Sequence, residues 1–228
     1  MNKISKMAAI AAVACMAMAA SAATIDLDYT GIVGGSSAGQ ARINSSTYRA
    51  GHMAHTITSG DRAGETFNTF CIELGEYASN GTATYDIINL EDAPNPGAHY
   101  GQSKADAVSA IVANAYAMGW IDSKLQATDS GASDYLAKMG AIQAAIWEAL
   151  GSSFEVNSGS TSASVRTQYN ALMSVSSFDD SRRMVGLRAA VATGQQDMLF
   201  VVPLPSGALA GLGMLGGIAG VRTVRRRR

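Results

Sequence analysis

Cysteine is almost absent from this chain. Only two cysteines occur among its 228 residues, Cys15 and Cys71, and Cys15 lies in an N-terminal segment with the features of a removable leader. The processed protein would then carry one thiol, in the stretch TFCIELGE at residues 69–76. A single cysteine cannot close an internal disulfide. This leaves an intermolecular disulfide, a buried free thiol or a reactive role for Cys71.

Several common functional signatures are also missing. The sequence has no Walker phosphate-binding loop, no dinucleotide fingerprint and no zinc-ligand spacing, so we predict no cofactor and no metal site. Basic residues are scarce once the two ends are set aside. Without the two lysines at the start and the five arginines at the end, ten basic residues remain against 18 acidic ones, a net charge of −8. This charge disfavours nucleic acid and anionic membrane surfaces as partners and suits a soluble extracellular domain.

The first 23 residues have the pattern of a secretory signal peptide. Two lysines form a short basic start, an apolar run covers residues 7–20, and small residues follow it. The apolar run is too short to span a membrane comfortably. We expect cleavage near Ala22 or Ala23. A lipoprotein site at Cys15 is the less favoured alternative, because the apolar run continues past that cysteine.

Residues 202–228 have the pattern of a membrane-directed tail. An uncharged run rich in Gly, Ala and Leu covers residues 207–221, and arginines close the chain. The run is barely at the lower limit of about 17 residues for a spanning helix, and the arginines would hold the C-terminus in the cytoplasm. An arginine cluster can also serve nucleic-acid binding or nuclear targeting, but an exported chain has no need of either. A short motif precedes the run: Val202, Pro203, Leu204, Pro205 and Ser206.

This order of motif, apolar span and basic end resembles the VPLPA variant of the PEP-CTERM sorting tails of Gram-negative bacteria. Ser206 stands where the variant usually has Ala, a small-for-small change. The resemblance implies that an exosortase-type membrane protease removes the span and passes the protein to the cell surface or extracellular matrix. We therefore divide the chain into a signal peptide at 1–23, one surface domain at 24–201 and a sorting signal at 202–228.

The patterns within 24–201 change from strand-like to helix-like along the chain. Short strands separated by Gly or Asn turns are predicted over 25–29, 53–58, 65–74 and 82–88. Helices are predicted over about 104–120, with Ser103 as N-cap, over 134–150, ended by Gly151, and over 165–175. Two strands within 184–202 complete the domain. The predicted fold is α+β, an antiparallel β sandwich or barrel lobe with an inserted two-helix lobe, in a single domain.

Cys71 lies within the strand predicted over 65–74. With a period of two, Phe70, Ile72 and Leu74 would face the core, whereas Cys71 and Glu73 would share the opposite face. Another element must therefore cover Cys71.

Gln143 is the odd residue on an apolar face of the second predicted helix. Its neighbours on that stripe include Met139, Ile146 and Trp147. A buried amide must find hydrogen-bond partners or be consumed chemically.

Cys71 and Gln143 can explain each other if the helix covers the strand. The thiolate would attack the amide carbonyl of Gln143, expel ammonia and leave a thioester. Because amides are poor acyl donors, the reaction needs proton transfer and exclusion of water. Glu73, on the same strand face, is the candidate for proton transfer. Trp147, one helical turn after Gln143, is the candidate to shield the bond.

The two segments FCIE (70–73) and IQAAIW (142–147) resemble the paired blocks of the Cys-Gln thioester domains of bacterial surface proteins. The resemblance covers roughly residues 65–150. It implies a thioester that an amine or hydroxyl of a host or matrix molecule attacks to give covalent adhesion, with a β lobe joined to a helical one. On this interpretation the protein is a single-use reagent and not a turnover enzyme.

Other interpretations remain open at this point. A passive structural or matrix-binding β domain would need Cys71 only as a small buried hydrophobe. His52 and His55 could suggest a metal, but without an accompanying acid or cysteine motif they are expected to be solvated histidines. A cysteine peptidase would need His99 as its activator, and the Pro/Gly context of His99 disfavours that role.

Overall fold

The computed structural model describes residues 23–95, 98–174 and 176–202. The predicted signal peptide and sorting signal lie outside these residues, apart from Ala23 and Val202. In the part of the chain that is described, no helix has the length and apolar character needed to cross a membrane. The apolar run predicted at 207–221 is outside that part.

The domain contains an antiparallel sheet with helices inserted into its connectivity. The strands and helices, in chain order, are β1 Ala23–Ile32, β2 Gly39–Ile43, β3 Ser46–Ala50, β4 Met53–Ile57, β5 Thr66–Thr69, β6 Gly81–Ile88, β7 Pro94–Asn95, β8 Ala98–His99, α1 Gly101–Ala117, α2 Tyr135–Ala149, α3 Ala163–Leu172, β9 Leu187–Val191 and β10 Met198–Val201.

Six of these strands form one sheet in the order β10-β9-β6-β1-β4-β5. Its two edges meet just beyond the end of β5, where the Leu199 N–H donates to the Phe70 carbonyl (2.8 Å) and the Ile72 N–H donates to the Asp197 carbonyl (3.0 Å). Cys71 lies between these two bonds. The sheet therefore closes into a nearly complete barrel with Cys71 at the joint, which confirms the predicted α+β class.

The strand predicted over 65–74 is shorter than expected. Regular pairing with β4 ends at Thr69, and the next three residues pair with β10 instead. Phe70 and Ile72 do face the main core, whereas Cys71 faces a smaller cluster on the other side. The prediction for Leu74 is wrong, because the extended pairing stops at Ile72 and Leu74 turns onto the Cys71 side.

The first helix differs from its prediction at both ends. It begins at Gly101 after Tyr100, and Ser103 is not its N-cap. Tyr100, the residue just before this start, is buried, and its hydroxyl donates a hydrogen bond to the Ile72 carbonyl (2.5 Å). The helix ends at Ala117, before Gly119, which has a φ of +70° that only glycine adopts without strain.

Helix α2 is buried around most of its circumference and lies between two cores. Met139, Ile142 and Ile146 pack into the larger core with α1. Ala144 and Trp147 pack into the smaller core with the β2–β3 hairpin and Cys71. The hairpin was not predicted, and its turn residues Asn44 and Ser45 both have positive φ.

The hairpin and α2 approach closely at two glycines. A Cβ atom built on Gly140 would lie 2.9 Å from Val165 Cγ2 and 3.2 Å from the Ala50 carbonyl oxygen, and 3.7 Å from the Cα of Gly39. The missing side chains at Gly39 and Gly140 let α2 seat against the hairpin. This close seating fixes the depth of α2 and thereby the position of Gln143.

We predict that Gly140→Ala destabilises the domain. Alanine favours a helix by about 1 kcal/mol over glycine, but overpacking against backbone and a β-branched side chain costs about 1–3 kcal/mol. Gly159→Ala is the matched control, because its Cβ would meet no atom within 4 Å. Urea unfolding of both variants measures the difference. A Gly140→Ala protein more stable than the parent would show that the contact is loose.

Candidate functional site

The side chain of Gln143 pairs with the backbone of Cys71. The Cys71 N–H donates to Gln143 Oε1 at 2.9 Å, and Gln143 Nε2 donates to the Cys71 carbonyl at 2.7 Å. Both residues are buried, with exposed fractions of 1% for Gln143 and 2% for Cys71. The buried amide thus has partners at both of its polar atoms, as buried polar groups require. The pairing holds the amide carbon of Gln143 beside Cys71.

The sulfur of Cys71 has three polar neighbours. The thiol donates to the Glu73 carbonyl at 2.5 Å, and Sγ accepts from the Glu73 N–H at 3.2 Å and from Trp147 Nε1 at 3.4 Å. Burial raises the pKa of the thiol to about 12, and hydrogen bonds from Trp147 and the Glu73 backbone act in the opposite direction. Sγ is therefore protonated at neutral pH but already faces two N–H donors.

Two carboxyl groups lie near the thiol. Burial, followed by the charge of Glu76, raises the pKa of the half-buried Glu73 carboxyl. Asp197 is 3% exposed, and burial raises the pKa of its carboxyl to about 7. Both carboxylates disfavour the thiolate of Cys71. The contacts of Sγ to Glu73 involve its backbone, so proton transfer by the Glu73 carboxyl remains a prediction.

Asp197 was not found from the sequence. It precedes β10 and reaches Cys71 only because β10 closes the barrel against residues 70–72. Its side chain accepts a hydrogen bond from the Ala192 N–H at 3.1 Å. No local motif marks an acid whose position depends on the pairing of distant strands.

A cleft of about 340 Å³ opens beside the Cys71–Gln143 pair. The β2–β3 hairpin contributes Tyr48 and Arg49 to its lining, and the segment after Cys71 contributes Glu76 and Tyr77. The cleft also reaches Cys71, Gln143 and Trp147. A ligand side chain entering it would meet aromatic walls and charges of both signs close to the buried pair.

The expectation that His52 and His55 are solvated is wrong. Both are 1% exposed, and both have an Nε2 atom without a hydrogen-bond partner in the described structure. The ring of His52 packs on Phe70 with centroids 4.6 Å apart, and the ring of His55 stacks on Phe67 at 5.6 Å. His52 directly precedes β4 and His55 lies within it, and the two rings occupy opposite faces: His52 lies against Phe70 and Tyr135, and His55 lies against Tyr29 and Phe67. Burial lowers the pKa of each histidine to about 4.

The positions of the three histidines give no support to a metal site or to a cysteine peptidase activity. Among the described residues, no group of three or more His, Cys, Asp or Glu side chains is arranged to hold a metal ion. His99 is exposed, and its Nδ1 lies 2.6 Å from the Asp92 carbonyl. The polar neighbours that the structure gives to the Cys71 sulfur come from Glu73 and Trp147 and include no histidine.

Comparison with known proteins supports the chemistry that this geometry suggests. A family model described as "TED: Thioester domain" matches residues 68–177, slightly less than half of the chain. The matched segment contains Cys71, Gln143 and Trp147, and it supports the assignment of this chain as a thioester-domain protein. No significant match was found among curated proteins or among solved structures. The family match suggests covalent attachment through an internal thioester.

We predict an acid-sensitive core at His55. An unfolded histidine has a pKa near 6.5, whereas that of folded His55 is about 4. Between these values the unfolded state binds more protons, so stability is lost as the pH falls, by up to about 3 kcal/mol for this residue. His55→Phe should remove the part of this loss that His55 contributes and leave the part from His52, and His99→Phe is the exposed control. The test is to measure the free energy of unfolding in urea at pH 7 and at pH 4.5 for the parent and both variants. An unchanged pH dependence in His55→Phe would contradict the assignment.

Proposed function

We propose that Cys71 and Gln143 form an internal thioester through which the domain attaches covalently to a surface ligand. The observation that carries the proposal is the pairing of the Gln143 amide with both backbone groups of Cys71. This pairing brings Cys71 and Gln143, the two residues on which the resemblance to thioester domains depends, together in the buried interior. The family match at residues 68–177 supports the same chemistry.

The bond would form by acyl transfer from nitrogen to sulfur. The Cys71 thiol loses its proton, the thiolate attacks Cδ of Gln143, and the C–N bond breaks as Nε2 takes up a proton and leaves as ammonia. The Cys71 N–H, 2.9 Å from Oε1, can stabilise the oxyanion that develops there. The Glu73 carboxyl is the proposed proton carrier, because burial raises its pKa above the ordinary value and makes it a stronger base than an exposed carboxylate.

A raised thiol pKa makes this step slow but does not prevent it. With a pKa of about 12, only about one thiol in 10⁵ is ionised at pH 7. Fixed proximity of the reacting groups can offset that fraction, since effective molarities in oriented pairs reach about 10⁵–10⁸ M. Each molecule needs to complete the reaction only once.

The thioester would then react with an amine or hydroxyl presented in the cleft. Attack at Cδ of Gln143 forms an amide or ester to the ligand, breaks the C–S bond and returns the Cys71 thiol. The side-chain acyl group of residue 143 stays bonded to the ligand. Each protein molecule therefore reacts once, and the protein is not a turnover enzyme. The ligand is a protein or polysaccharide of a cell surface or matrix.

Export completes the proposal. The signal peptide at 1–23 would direct secretion, and the tail at 202–228 would be cut by an exosortase-type protease after transient anchoring in the inner membrane of a Gram-negative bacterium. Residues 225–228 would then be missing from the mature protein at the cell surface. A passive matrix-binding β domain with a buried free cysteine is the alternative.

Methylamine uptake tests the reaction. The folded protein should take up one methylamine at Gln143 and release the Cys71 thiol, because a thiolate leaves far more readily than an amide nitrogen. Peptide mass mapping locates the adduct, and Cys71→Ala and Gln143→Ala are controls that should take up none. In Glu73→Gln, ammonia loss should be slower by about 100-fold. If the parent incorporates no methylamine at Gln143, the passive β domain becomes the supported function.

A further inference from the structure

We propose that Trp147 is a catalytic residue that holds the Cys71 thiolate when the thioester is opened. Its indole N–H and the backbone N–H of Glu73 together form a two-donor site for Sγ. This inference rests on the proposed function, and it gives Trp147 a role different from that of a shield.

The indole N–H of Trp147 is directed at the sulfur of Cys71. Trp147 Nε1 lies 3.4 Å from Sγ, and the Glu73 N–H lies 3.2 Å from the same atom. Trp147 is 4% exposed, and the hydrogen bond that the structure gives to its indole N–H is the one to Sγ. Its ring packs in a mainly apolar cluster that includes Ala41, Ile43, Met53, Ala144 and Phe154. A buried indole N–H normally finds a partner, and here that partner is Sγ.

The donors on Sγ are separate from the donor on the acyl oxygen. The Cys71 N–H faces Gln143 Oε1, where negative charge develops as a nucleophile adds to the carbonyl. Trp147 and the Glu73 N–H face the atom that receives the electron pair when the C–S bond breaks. The negative charge on the acyl oxygen and the negative charge on the departing sulfur are therefore stabilised by different hydrogen-bond donors.

These contacts strengthen during the reaction. The sulfur of a thioester is a weak acceptor, whereas a thiolate is charged and accepts strongly. An interaction that is stronger in the transition state than in the ground state lowers the barrier. As an amine opens the bond, its nitrogen bonds to Cδ and its proton passes to the Glu73 carboxylate or water. The thiolate held by Trp147 then takes up a proton to give the thiol.

The shield and donor roles predict opposite changes when the indole is replaced by phenylalanine. A smaller ring admits more water and amine to a bond that Trp147 only shields, so opening would become faster. Loss of the N–H from a bond that Trp147 activates makes opening slower. The direction of the rate change alone therefore separates the two roles.

The test begins with parent protein whose mass shows that one ammonia has been lost. Methylamine opening of this thioester is followed by intact mass for the parent, for Trp147→Phe and for Trp120→Phe. Trp120 is a buried tryptophan whose indole has no hydrogen bond to Sγ, which makes it the matched control. We expect opening in Trp147→Phe to slow about tenfold, equal to roughly 1.4 kcal/mol of barrier, and Trp120→Phe to match the parent.

A second experiment changes the acidity of the indole N–H without changing the shape of the site. In the Trp120→Phe background, replacing the remaining tryptophan by fluorotryptophan makes the N–H more acidic with little change in size. Opening should then become faster, and this result decides the matter if Trp147→Phe fails to fold.

Unchanged or faster opening in folded Trp147→Phe would overturn this inference, but the proposed thioester function would still stand. The same holds for fluorotryptophan protein that opens no faster than its background. A parent that never loses ammonia would instead overturn the proposed function, and this inference with it.

Discussion

The pairing of the Gln143 amide with the backbone of Cys71 is the contact on which the rest of the structure depends. Cys71 lies at the joint where the two sheet edges meet, so its N–H and carbonyl point toward α2 and not toward another strand. Unpaired, these buried groups would each cost about 1–3 kcal/mol. Gln143 removes that cost and ties the helical lobe to the barrel. The contact that stabilises the joint therefore also places an acyl group beside a thiol.

Burial has two opposed effects on this site. It excludes the water that would hydrolyse a thioester, and it raises the thiol pKa to about 12. The structure balances these effects with fixed donors, since N–H groups face both the acyl oxygen and the sulfur. On the proposed function each molecule would react once, so slow bond formation would be tolerable, whereas hydrolysis of the bond would inactivate the molecule. On the same proposal, the cleft beside the pair would give a ligand access while Cys71 and Gln143 themselves stay buried.

The α+β class was predicted from the sequence, and so was the covering of Cys71 by the helix that carries Gln143, because a buried amide is costly without a partner. The thioester between the two residues stays a prediction. Parts that depend on distant pairing were not predicted. Asp197 approaches Cys71 only through barrel closure, and His52 and His55 are buried because both faces of β4 are covered. The β2–β3 hairpin was missed because its Asn44–Ser45 turn lacks the glycine that usually marks such turns.

Peptide mapping of the untreated, unreduced protein is the most direct test of the internal thioester. Digestion at mildly acidic pH should yield one species in which the peptide containing Cys71 is joined to the peptide containing Gln143, with a mass equal to their sum less one ammonia. The joined species should be absent from Cys71→Ala and Gln143→Ala. Recovery of two separate peptides, with Cys71 open to alkylation after unfolding and Gln143 still an amide, would contradict the thioester.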